Sequence, residues 1–243
     1  NQHPGTLPIF PLMFITIACG ALSGFHATQT PLMARCLTTE KYARPCFYGA
    51  MILEGFIALI WATLGIAYYQ GTQGLNEALG ATGNAGGVVS AISTGCLGKI
   101  GGLLAILSVV SLTITSGDTA LRSARLSFAE CFRLKQTKIA KRLILTILVS
   151  AVSFALALVD LNKIWIYFGL TNQSLATIML WIGAIYLKKQ GRNYWIALIP
   201  AIFISTVTMT CLAYAKYAFN LDLAVARWIG WAATLIFVFL FQK

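Results

Sequence analysis

An all-α integral membrane fold of about seven transmembrane helices, the first of them discontinuous, is what this sequence predicts. Three observations carry that prediction. Hydrophobic residues make up 58% of the 243 and charged residues only 10%, with a mean hydropathy of +0.77, which leaves little chain for a soluble domain. Seven apolar stretches can be drawn, at residues 8–34, 46–69, 101–117, 143–159, 164–187, 194–215 and 228–241. The basic residues between them alternate in side. Of the 18 Lys and Arg, 14 fall in stretches 35–45, 118–142 and 188–193 and at Lys243, while Lys99, Lys163, Lys216 and Arg227 fall in the opposite loops.

That asymmetry is the positive-inside pattern, so residue 1 is placed outside and residue 243 in the cytoplasm. It also accounts for the net charge of +11 without nucleic acid, because the charges sit between apolar spans and form no binding stripe. The chain begins at Asn1 and carries no charged-then-apolar leader, so it reads as a piece of a longer protein, one transmembrane domain over residues 1–243. Its six cysteines (Cys19, Cys36, Cys46, Cys96, Cys131, Cys211) include no C-x-x-C pair and no histidine at ligand spacing. No metal site is expected from them, and buried thiols are the simple reading.

The first span is interrupted. Residues 8–22 are apolar and uncharged, but fifteen residues of helix reach only about 22 Å of a hydrocarbon core about 30 Å thick. The crossing is therefore completed through the polar run Ser23-Gly24-Phe25-His26-Ala27-Thr28-Gln29. Gly20 and Gly24 ease a departure from helical geometry, and Pro31 suits the start of a second half-helix. The expectation is that residues 23–29 are unwound. Lipid cannot satisfy freed amides, so protein, water or a ligand must, and broken helices of this kind hold substrate in secondary transporters. A self-satisfied kink at the bilayer edge is the alternative.

Further along, Glu54 stands about 12 Å inside the second span and should face protein or water, as a proton relay or as a hydrogen-bond partner for another helix. The stretch 70–100 reads as a long glycine-rich outer loop, either a gating piece or a passive cover. On the third span, Ser108, Ser111, Thr115, Asp118, Arg122 and Arg125 recur at intervals of three and four and so share one helical face. Such hydroxyls coordinate a small cation, pack against a helix, or bond back to their own carbonyls. Asp118 and Arg122 make either a helix-end ion pair or a cytoplasmic gate. The basic stretch after them is a topology determinant first and a contact for anionic lipid second. Asn172 and Gln173 in the fifth span need partners and should face the bundle interior, as glue between helices or as a substrate or ion contact. The last two spans are expected to be scaffold, with Thr206, Thr208 and Thr210 bonded to their own backbone.

Four blocks together resemble the carbon starvation protein A family. They are Ser23-Gly24-Phe25-His26-Ala27-Thr28-Gln29-Thr30-Pro31; Phe47-Tyr48-Gly49-Ala50-Met51-Ile52 with Glu54-Gly55; Ser116-Gly117-Asp118-Thr119-Ala120 with Arg122-Ser123-Ala124-Arg125; and Asn172-Gln173 with Leu175-Ala176-Thr177. Leu170 departs from the tryptophan expected before the Asn-Gln pair. The resemblance implies a bacterial cytoplasmic-membrane transporter of peptides or, in some members, pyruvate. It also implies the second half of a 5+5 inverted-repeat fold of the amino acid-polyamine-organocation type. Residues 8–187 would be the second five-helix repeat and residues 188–243 two additional helices. The third span would then supply cation ligands, as in sodium-coupled relatives of that fold.

The function expected is ion-coupled import of a small organic nutrient, a short peptide or a pyruvate-like carboxylate, and not an enzymatic activity. Gly20, Ser23, Gly24, His26, Thr28, Gln29, Asn172 and Gln173 are the expected substrate contacts. Ser111, Thr115 and Ser116 would serve a cation, and Glu54, Asp118 or His26 a proton. Na+ or H+ is the expected coupling ion, no other cofactor is called for, and the sequence does not give the oligomeric state. A seven-helix receptor or a channel is the alternative. A retinal receptor is disfavoured because residues 228–241 hold no lysine for a Schiff base, and an enzyme because no nucleophile motif or H-E-x-x-H accompanies the ionisable groups.

Overall fold

The structure is a computed structural model that describes residues 8–21, 23–82, 85–134, 138–159, 161–216 and 218–242, with side chains left out at 18–21 and 161–166. Every regular element among these residues is helical: α1 (Ile9–Ala21), α2 (Gly24–Cys36), α3 (Ala50–Tyr68), α4 (Thr72–Thr82), α5 (Ala85–Cys131), α6 (Ile139–Ala157), α7 (Leu161–Lys189), α8 (Trp195–Tyr214) and α9 (Leu223–Gln242). Six helical segments are long and apolar enough to cross a membrane. The expected seventh crossing is the pair α1 and α2, each 13 residues long and too short to span alone. The chain divides into two compact units. One contains the described part of Leu7–Pro31 together with Val152–Lys243, and the other is Leu32–Ala151.

In the first unit α8 is central. It packs against α1, α7 and α9, and more than half of its apolar window is buried. Thr206, Thr208 and Thr210 lie two residues apart, a spacing that spreads them round a helix. A helix with hydroxyls on several faces has to meet protein on several faces. Thr206 and Thr234 on α9 share a hydrogen bond of 3.0 Å, Thr177 on α7 and Thr208 share one of 3.2 Å, and the Trp181 indole N–H donates to Ser205 Oγ at 2.8 Å. Of the three threonines expected to bond their own backbone, Thr206 lies within hydrogen-bonding distance of Ile202 O, whereas Thr210 Oγ1 is buried with no hydrogen bond. The last two helices are thus tied by polar side chains as well as by apolar packing.

The second unit departs from the sequence reading in two places. The stretch 70–100 is not a loop: α4 and the first arm of α5 occupy it, and the chain turns at Gly98, whose φ of +69° only glycine adopts without strain. A Cβ on Gly102 would lie 2.9 Å from the Thr94 Cα, so the two arms fold back closely on each other. Ile92 and Ser93 are buried there. Glycine content had suggested irregular backbone, whereas the glycines allow helices to approach.

The stretch 118–142 is likewise helical as far as Cys131. From Lys99 that arm runs about 50 Å, well beyond the hydrocarbon thickness. It ends with Arg133 at φ +53° and bonds from Leu134 N to Ala129 O and from Arg133 N to Glu130 O, the pattern that satisfies the last carbonyls. The buried-thiol reading holds only for Cys211; Cys36, Cys46, Cys96 and Cys131 are exposed, and Cys19 lies outside the described side chains.

Contact between α8 and α9 depends on Gly230. A Cβ there would overlap Thr210 Oγ1 and lie 2.9 Å from the Thr206 carbonyl oxygen. Gly230→Val is therefore expected to lower stability by about 1–3 kcal/mol, the usual cost of overpacking, read as a lower thermal midpoint in detergent. An unchanged midpoint would show that the two helices do not meet at this glycine.

Candidate functional site

Two helices, with Leu22 between them outside the described residues, occupy the stretch drawn as the first span. α1 ends at Ala21 and α2 begins at Gly24, so the expectation of unwound backbone across residues 23–29 is corrected: Gly24 to Gln29 are helical. Pro31 lies inside α2 and does not open it. The reason is local chemistry. Ser23 caps the new helix, its Oγ accepting from Phe25 N at 3.1 Å. The hydroxyls that seemed to demand solvent bond backwards instead, Thr28 Oγ1 to Phe25 O at 2.8 Å and Thr30 Oγ1 to His26 O at 2.7 Å. Pro31 brings no N–H for the Ala27 carbonyl, so α2 still carries an interrupted ladder one turn further in.

The cap is completed from another helix. Asn172 on α7 is 7% exposed, and its Oδ1 accepts from Ser23 Oγ at 3.1 Å and from Phe25 N at 3.0 Å. Gly24 makes this approach possible: a Cβ there would lie 2.7 Å from the Asn172 carbonyl oxygen and 2.9 Å from Leu175 Cβ. Ser23, Gly24 and Asn172, chosen from distant parts of the sequence, thus form one cluster.

The other expected substrate residues divide. Gln173 is fully buried with neither amide atom hydrogen-bonded, and the Gln29 amide is buried in the same condition. His26 and Thr28 are half-buried on α2. Gly20 belongs to α1, but its surroundings fall outside the described residues. A mostly apolar cavity of about 470 Å³ opens between α7, α8 and α9, walled by Thr177, Trp181, Thr208 and Phe237. None of the expected substrate residues lines it. Sequence reasoning missed Ser205, Trp181 and Thr234 as buried polar partners; the Thr206, Thr208, Thr210 alternation in an apolar span was the available signal.

The expected ion-coupling residues fall in the other unit. Ser111, Thr115, Ser116 and Asp118 are exposed on α5, and Glu54 is exposed on α3. Thr115 Oγ1 donates back to Leu112 O at 2.9 Å. Asp118 pairs with Arg122 at 2.7 Å, the helix-end ion pair of the simpler reading. No cluster of His, Cys, Asp and Glu able to hold a metal occurs among the described residues.

Six helical segments long and apolar enough to cross a membrane mark a multi-pass membrane protein. The chain belongs to the carbon starvation protein CstA family, whose family model matches residues 2–91 and 67–211.

Among its relatives, an uncharacterized membrane protein of Haemophilus influenzae is 60% identical over 80 residues, 33% of this chain and 22% of that protein. The peptide transporter CstA of Escherichia coli (strain K12) is 29% identical over 276 residues, covering 83% of this chain. The pyruvate/proton symporter BtsT of the same organism is 49% identical over 53 residues, 21% of this chain and 7% of that protein. The chain spans 39% of the length of the Escherichia coli peptide transporter. No solved structure matches it.

Removing the shared acceptor should be costly. Asn172→Ala leaves the Ser23 hydroxyl without that acceptor and is expected to cost about 1–3 kcal/mol, measured as a shift in the unfolding midpoint in detergent. Gly24→Ala, which forces α2 off α7, should cost a similar amount. Wild-type midpoints for both variants would contradict the cap.

Proposed function

We propose that this chain forms part of an ion-coupled secondary carrier that imports a small organic nutrient across a bacterial cytoplasmic membrane. The observation that carries the reading is the capped break between α1 and α2, together with the buried, unbonded amides of Gln29 and Gln173. Leaving such a group buried without a partner costs about 1–3 kcal/mol, so we read the two amides as donors and acceptors kept for a solute. Amides offer both, which suits the carboxylate and peptide groups of short peptides or of a pyruvate-like acid. The printed names of the relatives, a peptide transporter and a pyruvate/proton symporter, support the same two substrate classes.

In this reading α1 and α2 meet the substrate at the break, with Ser23, His26, Thr28 and Gln29 supplying specificity and Asn172 holding the geometry. Ser111, Thr115 and Ser116 serve a cation, and Glu54, Asp118 or His26 a proton. The fold is the second half of a 5+5 inverted repeat, over residues 8–187, with two additional helices over residues 188–243. The chain starts outside and ends in the cytoplasm, as the distribution of its basic residues argues.

The test is uptake into proteoliposomes by the complete protein, comparing pyruvate with dipeptides under proton and sodium gradients. Saturable uptake against a substrate gradient, driven by one of the ions, is expected; passive flux would indicate a channel instead. Gln29→Ala and His26→Ala are each expected to reduce uptake by about tenfold or more, the cost of one hydrogen bond to a charged ligand. Normal uptake in both variants would overturn the assignment of the break as the substrate site.

A further inference from the structure

In the unit that carries α5 and α6, a cavity of about 540 Å³ lies between the two helices and is lined by Arg122, Arg125 and Arg142 against the single carboxylate of Asp118. Asp118 is already paired with Arg122. The positive charge of Arg125 and Arg142 is therefore in excess. Arg125 is half-buried and held in place: its Nη1 donates to Thr146 Oγ1 at 3.1 Å, and that hydroxyl donates in turn to the Arg142 carbonyl at 2.8 Å. Its Nε–H is buried with no acceptor. A guanidinium held in place by Thr146, beside a second guanidinium on the same cavity, is a receptor for a doubly acceptor-bearing anion such as phosphate.

The apolar side of the same cavity identifies the source of that phosphate. Leu143 closes it, and from there α6 presents Leu143, Ile144, Ile147 and Leu148, each at least half exposed, along the adjoining helix surface. A free phosphate makes no use of such a surface. An anion joined to hydrocarbon chains uses both. The cavity also belongs to the stretch 118–142, the most basic in the chain and the one that the charge distribution places at the cytoplasmic leaflet, where anionic lipids are recognised by basic pockets between helices.

We propose that the cleft between α5 and α6 is a binding site for an anionic phospholipid, with Arg125 and Arg142 on the headgroup phosphate and the acyl chains along α6. The inference is independent of what the carrier transports. It gives the α5 arm, which outruns the bilayer thickness, an anchor at the membrane surface.

Native mass spectrometry of the chain released from neutral detergent tests this, with cardiolipin, phosphatidylglycerol and phosphatidylcholine as added lipids and inorganic phosphate as the soluble competitor. Cardiolipin and phosphatidylglycerol adducts are expected to exceed phosphatidylcholine adducts. That preference should fall about fivefold for each arginine removed in the Arg125→Gln, Arg142→Gln double variant. Arg142 is exposed, so Arg142→Gln alone, with an expected loss of about fivefold, decides the question should the double variant fail to fold. The Lys189→Gln, Arg192→Gln pair removes the same charge from another basic turn and should leave the preference intact.

Equal adducts for all three lipids would overturn the proposal, as would an equal loss in the Lys189, Arg192 control, which would mean diffuse attraction to net charge. Phosphate displacing the lipid at comparable concentration would show a soluble-anion site instead.

Discussion

A membrane helix can stop in mid-crossing only if something in the protein takes up its loose peptide groups, because hydrocarbon offers neither donor nor acceptor. Asn172 meets that constraint here. One side-chain oxygen on α7 receives both the Ser23 hydroxyl and the Phe25 amide, and a glycine at position 24 lets the two helices come close enough for it to do so. The arrangement places a polar cluster inside an otherwise apolar unit, and the rest of that unit is organised to tolerate it. The α8 helix, which packs against α1, α7 and α9, carries its own hydroxyls; those of Ser205, Thr206 and Thr208 are paired across helices, and Thr210 Oγ1 is buried without a bond.

Not every polar group in that unit is settled in the same way. Thr28, Thr30, Thr177 and Ser205 donate to carbonyls of their own helix, and one hydroxyl of the Thr206–Thr234 pair does so while the other donates across to it, so each has only its lone pairs left for another partner. The Gln29 and Gln173 amides make no such bond. They remain buried without bonds. Thr210 Oγ1 is buried without a bond as well, but each amide offers a donor and an acceptor on separate atoms. That difference moves the emphasis within the run 23–29 from its backbone to Gln29.

Hydropathy made most of the architecture readable. The span drawn at 194–215 coincides almost residue for residue with α8 (Trp195–Tyr214), and the interruption of the first span followed from its length and its bracketing glycines. Ser23 as the start of a helix is readable in principle, since a serine before a helical run is a common N-cap, but the polar residues after it mask the helix by resembling a loop in composition. Helices α4 and the first arm of α5 were not legible: their glycines hide the apolar period, and the turn that matters is Gly98 alone. The one-face spacing from Ser108 to Arg125 carries α5 past the end of the third apolar stretch, and residues 118–131, free of Gly and Pro, are compatible with its continuation to Cys131. The junction of Ser23 with Asn172, about 150 residues apart in the chain, has no local signature and needed coordinates.

The central claim is that the first crossing is interrupted at Ser23 and capped there by Asn172, at a depth where a solute can be met. A cryo-EM map of the complete protein in lipid nanodiscs tests it most directly. The account requires an interruption between Ala21 and Gly24 near the middle of the bilayer, with the Asn172 side chain within hydrogen-bonding distance of Ser23 Oγ and Phe25 N. A continuous helix through Ser23, or an interruption out among the lipid headgroups, would contradict it.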